Sequence, residues 1–550
     1  MGDVGKEQRK VGSVTYQEVG EEYFAQRKLR RHAGVWSLWA LGVGAVISGD
    51  FYGWNFGLST AGFGGLLIAT VIIAIMYYGL CYSIAEMSPA LPHTGGAYSF
   101  ARSAMGPWGG FLTGLAENME YVITPAVVVG AMGLLMQALV IDIFNVTGDP
   151  WWNSEPFWWA VFYVIFVGIN VIGIEATMRF TVVITVLALG VLAIFYVSAL
   201  VSGDFDPDLW FNIPKDWDGE TTSALLTGGG GPFLPLGISG IFKALPFAIW
   251  FYLAIEEIPL AAEESLDPAR DVPKGTIWGM HTLVITGALI LLLNSGVDGG
   301  AGVIGISGTP LFDGFIGIFG EGFAAELLAL FGLIGLIASF FTIIYAYGRN
   351  TYSLSRAGYF PKFLSVTLGK RNTPHVALIA GAVAGYLIAL LVWYLSRQGG
   401  TAAAQVVAAL LYMAVFGAVI SYAMQCLSFI LLRRKLPNIN RPYRSKWGVP
   451  GAAIAGIIAL VSLVTMFTND DYRPGLYGVA AYYVLGVIYF AIAGRHRLVL
   501  SPEEEFALTS GERGVPEVSY GHSSAEQEAV LRGGRAPAGP PQTPPEPPSG

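Results

Sequence analysis

Charged residues in this chain are gathered into short intervals, and long apolar stretches run between them. Three of these stretches, Gly64 to Ala85, Phe180 to Val201 and Gly475 to Gly494, hold no charge at all. A helix needs about 20 apolar residues to cross the hydrocarbon core of a bilayer. On that scale the pattern predicts twelve spans, at 34–60, 64–87, 107–138, 156–174, 180–201, 238–261, 275–297, 325–348, 376–396, 402–432, 449–468 and 475–494. A membrane barrel would instead show alternating segments of about 10 residues, and the chain has none. The fold class expected is an all-α polytopic membrane protein with twelve transmembrane helices.

Two spans interrupt their own pattern at mid-depth. The first reads Ile47-Ser48-Gly49-Asp50-Phe51, and the sixth reads Trp250-Phe251-Tyr252-Leu253-Ala254-Ile255-Glu256-Glu257 before Pro259. Small residues and proline release backbone groups from a helix, and those groups must find other partners in lipid. A carboxylate at this depth is costly and faces a bundle interior or a watered cavity. Interruptions five spans apart predict a five-plus-five inverted repeat, over about 34–201 and 238–432, with discontinuous helices 1 and 6 and a binding site where the repeats meet. Spans eleven and twelve lie outside the repeat.

Composition agrees with this reading: 54% of the 550 residues are hydrophobic and 13% are charged. That charged fraction is about half that of a soluble domain. Of the 31 basic residues, all but Lys215, Lys243, Arg397 and Arg473 fall on one side if the N-terminus is cytoplasmic, and the positive-inside bias then places both termini in the cytoplasm. Residues 1–33 form a polar N-terminal segment with no signal-peptide core. Residues 497–550 form a cytoplasmic tail whose Pro-rich end cannot bury enough apolar surface to fold, so the tail is expected to be disordered. Between spans five and six lie Asp204, Asp206, Asp208, Asp216, Asp218 and Glu220 against Lys215. Such a loop either concentrates cations or is simply solvated. The net charge of −8 belongs to loops and tails and does not point to nucleic acid. Cys81 and Cys426 sit inside apolar runs, as packing residues do.

Three motifs in chain order carry a resemblance. They are Glu86-Met87-Ser88-Pro89 through Gly95-Gly96-Ala97-Tyr98 and on to Gly106-Pro107-Trp108-Gly109-Gly110-Phe111; Ala261-Ala262-Glu263-Glu264 through Pro268-Ala269-Arg270-Asp271-Val272-Pro273; and Ser355-Arg356-Ala357-Gly358-Tyr359-Phe360-Pro361. From about residue 34 to 450 the chain resembles the amino acid–polyamine–organocation (APC) transporters. ISGDFYGWNFGL, LAENMEYV and IWFYLAIE are similar to its bacterial ethanolamine permease branch. The resemblance implies a LeuT-like fold and a secondary transporter of the plasma (bacterial inner) membrane. Such a protein imports its substrate by alternating access as spans 1, 2, 6 and 7 rock against the rest.

In amino-acid carriers of that family, the unwound first helix offers N–H groups to a substrate carboxylate. Asp50 stands at that position here and would repel one, so an ammonium without a carboxylate fits better. Mid-depth holds Asp50, Glu117, Glu120, Glu256 and Glu257 against one base, Lys243. Unpaired buried charges cost several kcal/mol, so at least four acids are expected to be protonated, hydrated or occupied by a cation. Glu117, Glu120 and Thr124 share one helical face. The substrate set expected is Ser48, Gly49, Asp50, Glu117, Glu120, Trp250 and Leu253, with freed carbonyls near Gly49 and Leu253. The resemblance assigns Glu256 to proton coupling or gating and Trp250 to closing over the substrate. Glu257, about 100° round the helix from Glu256, is expected to be hydrated.

No lysine occurs in span five, where some proton-coupled relatives carry one; Thr185 falls near the place. Ser339 and Thr342 are candidates for a sodium site, although helical hydroxyls commonly bond back to their own carbonyls. H+ is favoured over Na+ as coupling ion, and no cofactor is implied. An amino acid or polyamine permease or antiporter is the alternative within the class, and a transporter-like sensor lies outside it. No metal-spaced cluster, nucleophile–base motif or phosphate loop supports an enzyme.

Overall fold

The computed structural model describes residues 8–144, 150–213, 231–320, 323–398, 401–468 and 470–512. Among them are ten helices long and apolar enough to span a membrane, and two shorter apolar helices, Val35–Phe51 and Gly237–Ile249, that open the first and sixth spans. The chain is thus an all-α polytopic protein with its two broken spans five apart. The other spans lie in Phe56–Ala90, Ala97–Phe144, Glu155–Ile172, Ile174–Val201, Pro268–Asn294, Phe323–Arg356, His375–Gln398, Thr401–Lys435, Gly448–Thr468 and Arg473–Ile492.

Two of these helices run through a glycine that marks a true boundary. Gly62 (φ 77°) separates the end of span one from span two, and Gly106 (φ 80°) separates span three from a preceding loop helix, residues 97–105. Glycine alone takes such left-handed angles without strain. Span five shows how a span sorts its faces. Thr177, Thr181, Thr185, Ala188, Leu192 and Phe195 are buried, while Val183, Val186, Leu187, Ile194 and Val197 are exposed as a lipid-facing stripe. Span three is packed against spans eight and ten, and span one against spans five, seven and eight.

Four features differ from expectation. Lys243 is exposed, so it is no counter-charge for the buried acids. With Ser239, Leu460, Val464 and Asp470 it lines an 830 Å³ groove between spans six and eleven. Gly240, Ala244 and Ala248 occupy the inward face, which leaves the lysine's flexible stem on the outward one. Second, the tail is folded where it leaves span twelve: Leu498–Phe506 is buried and includes the helix Pro502–Leu508. Third, the polar N-terminal segment contains an antiparallel hairpin, β1 (Gln8–Val11) and β2 (Val14–Gln17), and Tyr16 of β2 bridges to Leu498. Fourth, Ser48–Phe51 keeps a helical turn, and the first span unwinds at Tyr52, just past the Ile47–Phe51 interruption. Residues 513–550, Lys215, Asp216, Asp218 and Glu220 lie outside the described residues.

Candidate functional site

The helix Val35–Val46 is followed by a single turn, Ser48–Phe51. The chain is then extended at Tyr52 (φ −161°, ψ 151°), passes Gly53 (φ 99°) and becomes helical again at Phe56. In the sixth span, Gly237–Ile249 ends in a turn through Ala254 (φ 80°), and the chain continues as a 3₁₀ helix, Ile255–Glu264. The carbonyl of Leu253 accepts no backbone hydrogen bond among the described residues, as expected of an unwound segment.

The two breaks lie directly against each other. A Cβ at Gly49 would fall 1.8 Å from the Trp250 carbonyl oxygen, and one at Gly53 would fall 3.1 Å from the Trp250 ring. Only a hydrogen fits at Gly49, which explains why the least helix-favouring residue short of proline sits there. Trp250 is half-buried and covers the turn that follows Asp50.

Asp50 is 1% exposed, and neither carboxylate oxygen has a hydrogen-bond partner. Thr286 of span seven faces it, yet that hydroxyl is turned to the Leu283 carbonyl at 3.3 Å. Tyr196 and Tyr252 complete its polar surroundings. Ser48 points the other way and donates to Ser339 at 2.8 Å, while Ser339 donates to the Ala45 carbonyl. Thr185 bonds the Ala40 carbonyl at 3.0 Å, and Thr342 bonds back to Ala338 at 2.9 Å. Two hydroxyls, one from span five and one from span eight, therefore bond the first half of span one, and Thr342 turns its methyl toward Gly44 there.

The glutamates form a second group. Glu117 accepts from Asn350 at 3.1 Å, Glu120 from Tyr422 at 3.4 Å, and Glu256 from Tyr121 at 3.2 Å. Tyr77 donates to Tyr422 at 3.1 Å and joins span two to this chain. Glu120 and Glu256 face each other, and one oxygen of each has no partner, as with both oxygens of Glu257. The structure thus brings Glu117 and Glu120, which helical spacing put on one face, together with Glu256 of span six, and sets Asp50 apart from them. None of the five acids makes an ion pair among the described residues.

A 40 Å³ cleft lined by Phe51, Thr309, Leu311 and Leu336 and a 550 Å³ cavity lined by Ile123, Trp159, Thr309 and Trp393 both reach Tyr52. Neither is lined by Asp50 or the glutamates. Deeper, Arg349 holds Glu264 through two hydrogen bonds, at 3.0 and 3.1 Å, with Tyr345 also donating to Glu264. Reading the sequence missed Arg349, Asn350, Thr286 and the tyrosines 77, 121, 196, 252 and 422. Arg349, one residue beyond the apolar run 325–348, was the only one with a visible signal, because buried tyrosines look like ordinary packing.

The amino acid permease family profile matches residues 37–498. An uncharacterized transporter of Rhizobium meliloti is 27% identical over 84% of this chain and 92% of its own length. A branched-chain amino acid permease of Bacillus subtilis is 24% identical over 86% of this chain and 95% of its own. A methylthioribose transporter of the same organism is also 24% identical, over the same shares.

Proposed function

We propose that this chain, which belongs to the amino acid permease family, imports a small cationic amine, ethanolamine foremost, with both termini in the cytoplasm. It is a transporter and not an enzyme, and it sits in the membrane through its apolar helices. One observation carries the choice of substrate: Asp50 is buried at the break of span one with both oxygens unpartnered. A buried carboxylate with no cation beside it is destabilised by several kcal/mol, and an ammonium donating to it removes that penalty. Carbonyls freed near Gly49 and Leu253 accept the remaining N–H groups. Trp250 closes over the bound amine and offers its ring face. Glu117 and Glu120 extend the negative field from span three.

Rocking of spans 1, 2, 6 and 7 against the rest exposes the site to each side in turn. Glu256, facing Glu120 across the moving boundary, takes the coupling proton in this reading; the Ser339–Thr342 hydroxyls are the place for sodium if a sodium gradient drives uptake instead.

A second reading, an amino acid carrier, is favoured by the branched-chain permease among the relatives. The methylthioribose transporter, at equal identity, is a reason not to settle cargo by kinship. Proteoliposomes given labelled ethanolamine decide between the readings. Uptake that Asp50→Asn abolishes and that excess alanine or putrescine leaves intact supports the amine. Undiminished transport by Asp50→Asn, or displacement by alanine, refutes it. Imposing pH and sodium gradients separately assigns the coupling ion.

A further inference from the structure

The tail that leaves span twelve turns back beneath the bundle and is held there by charge. Leu498 bonds β2 on both sides, donating to Thr15 at 3.2 Å and accepting from Gln17 at 2.8 Å, and Val499 donates to Ala357 at 2.9 Å. Glu504, fully buried, accepts from Arg102 of the loop helix at 2.7 Å and from Tyr16, Tyr98 and Tyr359 at 2.5, 3.1 and 2.8 Å. Glu503, also fully buried, accepts from Arg356 at 2.7 Å, Ser353 at 2.8 Å and Ser501 at 2.7 Å. Phe506 enters an apolar cluster with Met87, Leu91, Phe100, Ala104 and Phe429.

These contacts join parts that move differently in a rocking-bundle cycle. Arg356 ends span eight, and the same guanidinium that binds Glu503 also binds Glu263 at the end of span six, at 2.5 Å. Met87 and Leu91 end span two, the loop helix leads into span three, and Phe429 belongs to span ten. The tail helix therefore bridges two units, and one of its acids, Glu503, binds an arginine that already ties span six to span eight. Spreading these ends apart would pull Met87 and Leu91 away from Phe506 and Glu263 away from Arg356, while Glu503 and Glu504 keep their partners on the span-eight and loop-helix side and hold the segment in place.

We infer that Ser501–Leu508 is a built-in strap that closes the terminus-bearing face, its two acids fixing it to the span-eight side, and that Phe506 has to leave its crevice before that face can open. The inference rests on the alternating-access reading of the preceding section but not on the identity of the substrate.

The test uses the full chain with Ala104→Cys as reporter, a side chain 1% exposed beneath Phe506. In lipid nanodiscs, which leave both faces open to reagent, a charged maleimide labels this cysteine slowly. Adding Glu503→Gln and Glu504→Gln raises the rate at least tenfold. Ser353→Ala, which removes a single hydrogen bond and keeps the ion pairs, raises it about fivefold, since one bond to a charged group is worth roughly 1 kcal/mol or more. In proteoliposomes, Ala104→Cys with the native tail labels faster while labelled ethanolamine is being taken up than at rest. Equal labelling rates in all three proteins overturn the strap, as does a rate unmoved by measured turnover. If ethanolamine is not carried, uptake is nil while the difference between tail variants persists, so the two failures are told apart.

Discussion

Gly49→Ala tests the closest approach between the two broken spans. The added methyl carbon would stand 1.8 Å from the Trp250 carbonyl oxygen and 2.7 Å from its carbon. A carbon approaches a carbonyl oxygen to about 3.3 Å, so the breaks have to separate by about 1.5 Å. The obstacle is backbone on both sides, and no side chain can swing away to relieve it. Overpacking of this kind costs about 1–3 kcal/mol, which a protein of this size survives. Function is hit harder, because a displacement of about 1 Å at a reacting or binding centre can lower a rate about 100-fold. Gly49→Ala is expected to insert and purify normally and to lose 10- to 100-fold in initial uptake by proteoliposomes. Gly130→Ala in span three meets nothing within 4 Å and is the control, with unchanged uptake. Wild-type uptake by Gly49→Ala would refute the reasoning, because a site assembled from touching breaks cannot absorb such a shift.

Three further outcomes follow from the charges. Arg349→Met leaves Glu264 buried without its cation, which costs about 3–5 kcal/mol; the variant is expected to melt earlier in detergent, and adding Glu264→Gln restores most of the loss. Lys243→Ala, at an exposed position, leaves uptake within twofold of wild type; a collapse of transport would mean that the lysine serves the buried acids after all. Burial pushes the Glu503 carboxyl up, but Arg356 and His93 beside it prevail and hold it at about 2. The stability gained from a lowered carboxylate is present above its ordinary value near 4.5 and is lost as the pH falls toward 2. The tail is therefore expected to stay docked from pH 8 to 5, with the Ala104→Cys labelling rate, divided at each pH by that of a free thiol to correct for the thiolate fraction, rising only below about 4.

The architecture was legible because a bilayer imposes one-dimensional rules. Helix length, loop charge and the cost of a buried carboxylate act on consecutive residues, so twelve spans and two breaks can be read from the order of side chains. The pairing of Glu117 with Glu120 on one face followed from helical spacing in the same way. Which acids face one another did not follow, because it depends on the rotation of each span against its neighbours. Asp50 and Glu120 look alike in the chain, yet one ends against Thr286 and the other beside Glu256. Lys243 was misread for the same reason: its depth is a matter of sequence, but its direction is set by the small residues that turn span six inward. The tail was misread because Glu503 and Glu504 look solvated until Arg356 and Arg102, some 150 and 400 residues earlier, supply their counter-charges. Sequence alone determined what must cross the membrane and where a helix must fail; long-range packing decided which charges meet, since their partners are fixed only when distant segments come together.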